Sequence, residues 1–189
     1  MSPASATSAG PVALEVGRRT YLRHPRAADR TAFLEAVRRS GDLHHPWVDA
    51  PSTPEAFGTY LRRSRAATVS AHLLFRRVDD AVLGVLNLGE IVHGAFQSAY
   101  LGYYAFEPHT GRGYMTEGIK LVLRRAFVTL GLHRVEANIQ PGNERSRRLA
   151  ERCGFRLEGF SPRYLMVGGQ WRDHERWAIT VEDWSGRRR

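Results

Sequence analysis

Apolar residues along this chain recur every three or four positions in some stretches and every one or two in others, and each change of period marks an element. Thr20, Tyr21 and Leu22 sit in a short strand, Arg19 to Arg23, which His24-Pro25 ends. Ala28, Phe33, Leu34 and Val37 then follow helical spacing. Ser40 to Pro54 is rich in Gly, Pro and His and reads as a long loop. Thr53 caps a second helix that begins at Pro54, carries Glu55 in its first turn and turns Phe57, Tyr60 and Leu61 inward. Three runs rich in Val, Leu, Tyr and Phe come next: Ser70 to Arg77, Ala81 to Val92 and Ser98 to Phe106. The short breaks at Asp79-Asp80 and Val92 to Ala95 make them an antiparallel meander.

The strongest helical pattern follows, with Met115, Ile119, Val122, Ala126 and Leu130 spaced by four and three and Gly131 placed to end it. Arg134 to Ile139 is a strand, and Asn143 caps a short helix that runs to Gly154. Phe155 to Phe160 and Trp171 to Val181 are closing strands around Gly168-Gly169. This order predicts an α/β (α+β) domain: a mixed, mostly antiparallel central sheet flanked by helices, without the βαβ alternation of a doubly wound fold. At 189 residues one domain is expected. The boundaries read as a flexible arm over 1–17, a domain over 18–184 and a solvated basic tail over 185–189.

Composition narrows the class. Apolar runs fall well short of the ~18 residues a membrane span needs, and the first seventeen residues lack the basic and apolar blocks of a secretory leader. A single cysteine, Cys153, excludes an intrachain disulfide or a thiolate metal cluster and suits a reducing cytoplasm. Burial at the end of the short helix suits it better than a nucleophilic role. His44, His45, His109 and His133 have no companions at ligand spacing, so no metal is expected. The net charge of +9 comes almost wholly from arginine, Lys120 being the sole lysine. It points to an anionic partner, a polyphosphate or RNA, unless it reflects compositional bias alone.

The segment Thr110-Gly111-Arg112-Gly113-Tyr114-Met115-Thr116-Glu117 joins a strand to the best helix. Glycines there let the backbone approach a ligand and turn successive N–H groups onto an anion at the helix's positive end. The alternative is a tight turn with glycine for sterics alone. The segment is not a Walker loop, since Gly-Lys-Ser/Thr is absent, and it lacks the third glycine of the dinucleotide fingerprint.

This loop, the run Ile91-Val92-His93-Gly94-Ala95-Phe96-Gln97-Ser98-Ala99-Tyr100-Leu101-Gly102-Tyr103, and Asn143-Glu144-Arg145-Ser146 ahead of Cys153-Gly154-Phe155-Arg156-Leu157-Glu158-Gly159 resemble the GNAT acyltransferase superfamily. Within it they are most similar to the RimJ/RimL type of ribosomal-protein-alanine N-acetyltransferase, the RimJ branch nearest. The resemblance spans roughly 20–184. Thr110 stands where the family often has Gln or Arg, and Met115 where many members have Gly or Ala. What it implies is the GNAT fold, with acetyl-CoA as co-substrate. Tyr104, Ala105 and Phe106 would offer backbone groups to the pantetheine, and Gly111, Arg112, Gly113, Tyr114, Met115 and Thr116 would offer N–H groups to the pyrophosphate. Asn143 would touch the pantetheine arm, and Ser146, matching the Asn-x-x-Ser motif, would be the proton donor or thiol partner. The implied acceptor is a protein N-terminus, with ribosome association and a homodimer both compatible. The rivals are a small amine such as an antibiotic, polyamine or amino-acid derivative, and a ribosome- or RNA-bound module without turnover.

The residues themselves suggest further roles. Acetyl transfer to an amine needs a neutral nucleophile and a proton for the departing thiolate. Glu90, in phase with Leu86 and Leu88, is expected to be partly buried and so suited to act as base or to meet the substrate ammonium; otherwise it is an exposed acid at a strand end. Tyr164, ahead of Gly168-Gly169, is a weaker candidate than Ser146 for proton donation. Asp173 and Glu175 alternate with Trp171 and Trp177 and are read as either substrate-binding carboxylates or paired surface acids. Trp47, Phe57 and Tyr60 either line an acceptor groove or pack the core.

Overall fold

The computed structural model describes residues 12–184. Its eight strands form one sheet in the order β1-β2-β3-β4-β5-β6-β8-β7. β1 (Glu15–Val16), β2 (Thr20–Arg23), β3 (Ser70–Arg76), β4 (Val82–Val92) and β5 (Ser98–Ala105) are antiparallel neighbours, the last three as the meander pattern predicts. β6 (Arg134–Ile139) joins β5 in parallel, then pairs antiparallel with β8 (Gln170–Thr180), which carries β7 (Arg156–Val167) at the edge. No helix among the described residues is long and apolar enough to cross a membrane.

Three sequence expectations are corrected. Glu15 and Val16 are part of the sheet and not of a loose arm: Leu14 donates to the Leu22 carbonyl at 2.8 Å and Glu15 pairs with Arg124 at 3.5 Å. The rest of the arm, 1–11, and the tail, 185–189, lie outside the described residues. The long loop holds a one-turn helix, α2 (Gly41–His44), too short to leave a periodic signal. β7 runs well past Phe160 to the Gly168-Gly169 turn, where both glycines have positive φ. Two register shifts, the second around Arg163 at φ 48°, break its alternation and hide its length in the sequence.

The helices divide between the faces. α1 (Arg30–Arg39), entered through a 3₁₀ turn at Ala27–Asp29, and α3 (Pro54–Arg63) cover one face through Phe33, Ala36, Val37 and Phe57, which pack on Leu73, Phe75, Val85 and Phe106. Thr53 caps α3 as predicted, accepting from the Ala56 N–H at 3.2 Å. This layer contains no residue of β6, β7 or β8, so among the described residues that half of the face has no helix over it. On the opposite face, α4 (Tyr114–Arg124) and α5 (Glu144–Arg152) pack over Leu74, Leu86, Leu101, Val135, Ala137 and Trp177. α4 lies close because Gly118 faces β3, where a Cβ would meet Leu74 at 2.7 Å.

α4 continues as a π-helical turn, Arg125–Thr129, above a buried polar relay. His72, wholly buried on β3, donates from Nδ1 to the Leu86 carbonyl at 2.7 Å, leaving Nε2 to accept the Ser70 hydroxyl at 2.9 Å. Arg125 Nε reaches the same hydroxyl oxygen at 3.4 Å. Burial, with Arg125 and His24 nearby, pushes the His72 pKa down to about 3, against the opposing pull of its bond to Leu86. Cys153 is also buried, as expected, and burial raises its thiol to about 11.

Candidate active site

The parallel pair of strands creates the site. β5 and β6 pair at Ser98 with Arg134, Ala99 with Val135 and Tyr100 with Glu136, then separate. Ladder bonds alternate along an antiparallel strand, and Phe106 donates to the Leu83 carbonyl at 2.8 Å while Tyr104 stands opposite Val85. Tyr104 and Phe106 therefore spend their backbone groups on β4, and Tyr103 and Ala105 face the opening. This corrects the expectation that Tyr104 and Phe106 offer theirs to a ligand. Phe106 is moreover fully buried, and the Ala105 carbonyl accepts from His44 Nε2 at 2.8 Å, which leaves that residue's N–H to the cleft.

At the top of the opening, Gly111 and Gly113 take φ of 72° and 79°, values that side chains disfavour. Gly113 is the N-cap of α4 and supplies no capping side chain. The free N–H groups of the first turn thus point at whatever lies in the cleft, as the sequence suggests. Glu117 fixes this end of α4 by accepting from the Arg19 and Thr20 N–H groups at 2.8 and 3.1 Å, and Arg19 stacks over the Tyr114 ring at 4.8 Å. The far wall is the start of α5, where Asn143 Oδ1 accepts from the Ser146 N–H at 3.2 Å. The Ser146 hydroxyl lies 2.8 Å from the Tyr103 hydroxyl, and burial holds that phenol well above its usual pKa.

These parts enclose one cleft of 990 Å³ lined by residues 111–116, Tyr103, Tyr104, Ala105, Asn143 and Ser146. Trp47 and Val48 roof it, held by a bond from Gln140 Nε2 to the Trp47 carbonyl at 3.1 Å. Arg112, Arg145, Arg148 and Arg152 make its rim basic. A long cleft with a bare-glycine turn, unspent N–H groups and arginines at one end fits a ligand with an extended arm and a phosphate head.

The other candidates lie elsewhere. Glu90 is exposed, at φ 48°, inside a bulge that shifts the register between Gly89 and Val92. The extra residue hands the buried position to Ile91, so the burial expected for Glu90 is absent, and it does not line the cleft. Tyr164 meets the Tyr100 hydroxyl at 3.2 Å on the face opposite α5, away from Ser146. Asp173 accepts from the Arg163 N–H at 2.7 Å and so braces the β7 bulge. Glu175 accepts from Trp177 Nε1 at 3.0 Å and forms an ion pair with Arg147 at 3.1 Å. Of the three aromatics, Phe57 is core, Tyr60 donates to Asn87 Oδ1 at 3.2 Å, and Trp47 alone reaches the cleft.

Sequence reasoning named Trp47 as one of three groove-or-core aromatics but missed Tyr103, Val48 and most of the basic rim. Arg145, Arg148 and Arg152 repeat at three and four on α5, a helical stripe that the sequence contains. His44 and Val48 sit in an aperiodic loop and gave no comparable signal.

Fold and cleft together define a class: a mixed α/β domain whose split sheet opens a cleft shaped for an extended, phosphate-headed ligand. A model of the acetyltransferase (GNAT) domain matches residues 19–156, and the chain belongs to that family. A [ribosomal protein uS5]-alanine N-acetyltransferase of Escherichia coli (strain K12) is 39% identical over 112 residues, 59% of this chain and 58% of that protein. A probable N-acetyltransferase, YjcK, of Bacillus subtilis (strain 168) is 40% identical over 110 residues, 58% of this chain and 61% of its own length. The match thus spans about three-fifths of these curated relatives. The solved structure of Mycobacterium smegmatis RimJ in complex with CoA-disulfide superposes with a TM-score of 0.79 at 30% identity, covering 86% of this chain and 82% of that one.

Proposed function

We propose that this protein transfers the acetyl group of acetyl-CoA to the α-amino group of a protein N-terminus, with a ribosomal protein as acceptor in the cytoplasm. The observation that carries the reading is the meeting, in one cleft, of the left-handed Gly111 and Gly113 turn and the Ser146–Tyr103 hydroxyl pair. The similarity to a uS5-alanine N-acetyltransferase supports the choice of acceptor. Acetyl-CoA, when bound, supplies the activated acyl group.

The N–H groups of the first turn of α4, with the arginines of the rim, hold the phosphates. The open edge of β5 at Tyr103 and Ala105 aligns the extended arm. As the amine nitrogen bonds to the acyl carbon and the carbon–sulfur bond breaks, Ser146 gives the sulfur a proton and recovers one through Tyr103, whose hydroxyl regains its own from water. The amine's own proton leaves to water. An α-amine has a pKa of ≈ 7.7–8.0 against ≈ 10.4 for lysine, so a useful neutral fraction exists near neutral pH without a buried carboxylate base.

Mass spectrometry of an Ala- or Ser-initiated peptide that also carries lysine, incubated with acetyl-CoA, tests the reading. Modification at the α-amine is expected. Modification of lysine alone, or turnover of polyamines and other small amines with none on peptides, would overturn it.

A further inference from the structure

Asn138 occupies an unusual place in the sheet. It is the first residue of β6 beyond the last β5–β6 rung whose side chain lies on the face that α1 and α3 leave uncovered. Its Oδ1 is shielded from solvent and has no hydrogen-bond partner among the described residues. The neighbour that might have served it, Arg176, stands directly across β8 but leans the other way: a Cβ on Gly159 would meet its guanidinium at 2.8 Å. A buried carbonyl oxygen left without a donor is costly, so the site carries an unmet demand for an N–H group.

Extending the parallel register by two residues puts Gly102 of β5 opposite Asn138, at the apex where the strands part. A Cβ on Gly102 would have nothing within 4 Å. On the same face Tyr100 and Tyr104 stand on either side of that glycine, roughly 13 Å apart along the strand. The result is a slot with a bare floor, two aromatic ends and an unsatisfied oxygen at its side, adjoining the cleft through Tyr104, which lines both.

We propose that this slot takes the acceptor's first residue, and that Asn138 Oδ1 receives a hydrogen bond from its amino group and so aims the nitrogen at the apex of the cleft. Asn138 as a whole is half-buried, and rotation of its amide, a soft torsion, presents the oxygen to an occupant. The open floor admits a first side chain, and the two aromatic ends limit its size. Asn138 is a positioning and specificity residue; it exchanges no proton. The inference rests on the reading that acyl transfer occurs at the splay.

Steady-state kinetics with an Ala-initiated peptide, and calorimetric binding of that peptide to the CoA-loaded protein, test it in three variants. Asn138→Leu should raise the acceptor KM and Kd about tenfold to a hundredfold, with kcat, acetyl-CoA affinity and melting temperature nearly unchanged. Asn138→Asp, which keeps an acceptor oxygen, should restore KM to within about threefold. Gly102→Val should fold normally, since its side chain projects into open space, yet discriminate strongly against the peptide. An unchanged KM in Asn138→Leu, or an equal loss of acetyl-CoA affinity, overturns the inference. If only small amines are turned over, the protein N-terminus reading fails while the same variants judge the slot with those amines. If no amine is bound or turned over, both fall.

Discussion

The His72 relay ties folding stability to pH. Its folded pKa of about 3 lies below the ordinary 6.5 of an unfolded histidine, so between those values the unfolded chain binds a proton that the native protein refuses. Stability is complete above about pH 6.5 and declines as the pH falls. From pH 7 to pH 5 the linkage relation gives a loss of about 2 kcal/mol from this one group, because the native state stays almost unprotonated throughout. For a chain of this size that corresponds to a fall of about 4–8 °C in Tm. The physical origin is geometric: Nδ1 is committed to Leu86, Nε2 can only accept, and a second proton would place a fully buried cation beside Arg125. Urea unfolding of wild type and His72→Gln at pH 5, 6 and 7 tests this. Removing the titrating ring should flatten the slope by about 2 kcal/mol over that range, leaving the smaller contributions of His44 and His174, whose pKa values burial also depresses. Parallel pH profiles for the two proteins would refute the reasoning.

Three further outcomes concern the site. Acetyl-CoA at a hundredfold excess over its Kd should stabilise the wild type by about 2.7 kcal/mol, and Gly113→Val should abolish that gain, because valine disfavours φ 79° and its Cβ lies 3.2 Å from Arg19; calorimetric melting with and without the ligand decides. Ser146→Ala should lower kcat by about 10²–10⁴ with acetyl-CoA affinity nearly intact, and Tyr103→Phe should show a lesser version of the same split; a rate within threefold of wild type for both would remove the hydroxyl pair from catalysis. Glu90→Gln should leave kcat and its pH profile essentially unchanged, since the bulge points this carboxylate to solvent, and a large loss of rate would restore it as a base.

What was legible in the sequence was whatever rests on local chemistry. Alternation and turn residues located the meander, three-and-four spacing located α4, and Thr53 and Asn143 marked caps that form. The glycine turn was legible for the same reason: positive φ is a property of single residues. Glu90 was misread because a bulge shifts the period by one, and nothing local distinguishes Gly89-Glu90-Ile91 from a regular strand. The backbone assignment at Tyr104 failed on the same scale, since which edge of a strand is free depends on its neighbour's register. Asn138 and Gly102 face each other across the splay only because strands 36 residues apart in the chain meet in parallel.

Among the described residues, three rungs between β5 and β6, with the Gln97 carbonyl accepting from the His133 and Arg134 N–H groups beside them, tie one half of the sheet to the other by backbone bonds. β1 to β5 with α1 to α3 form one meander and its cover; β6, β8 and β7, in that order, form a second, smaller antiparallel group with α5 against it. Such a seam divides a molecule into cooperative units that open at different free energies. α4, packed on β2 and β4 and against α5, is the main bridge between the halves on one face. A ligand lying in the opening bridges them again, touching the glycine turn and β5 on one side and the start of α5 on the other. Occupancy therefore couples the two units, and the smaller one, built largely of the exposed β7–β8 hairpin, gains most from it.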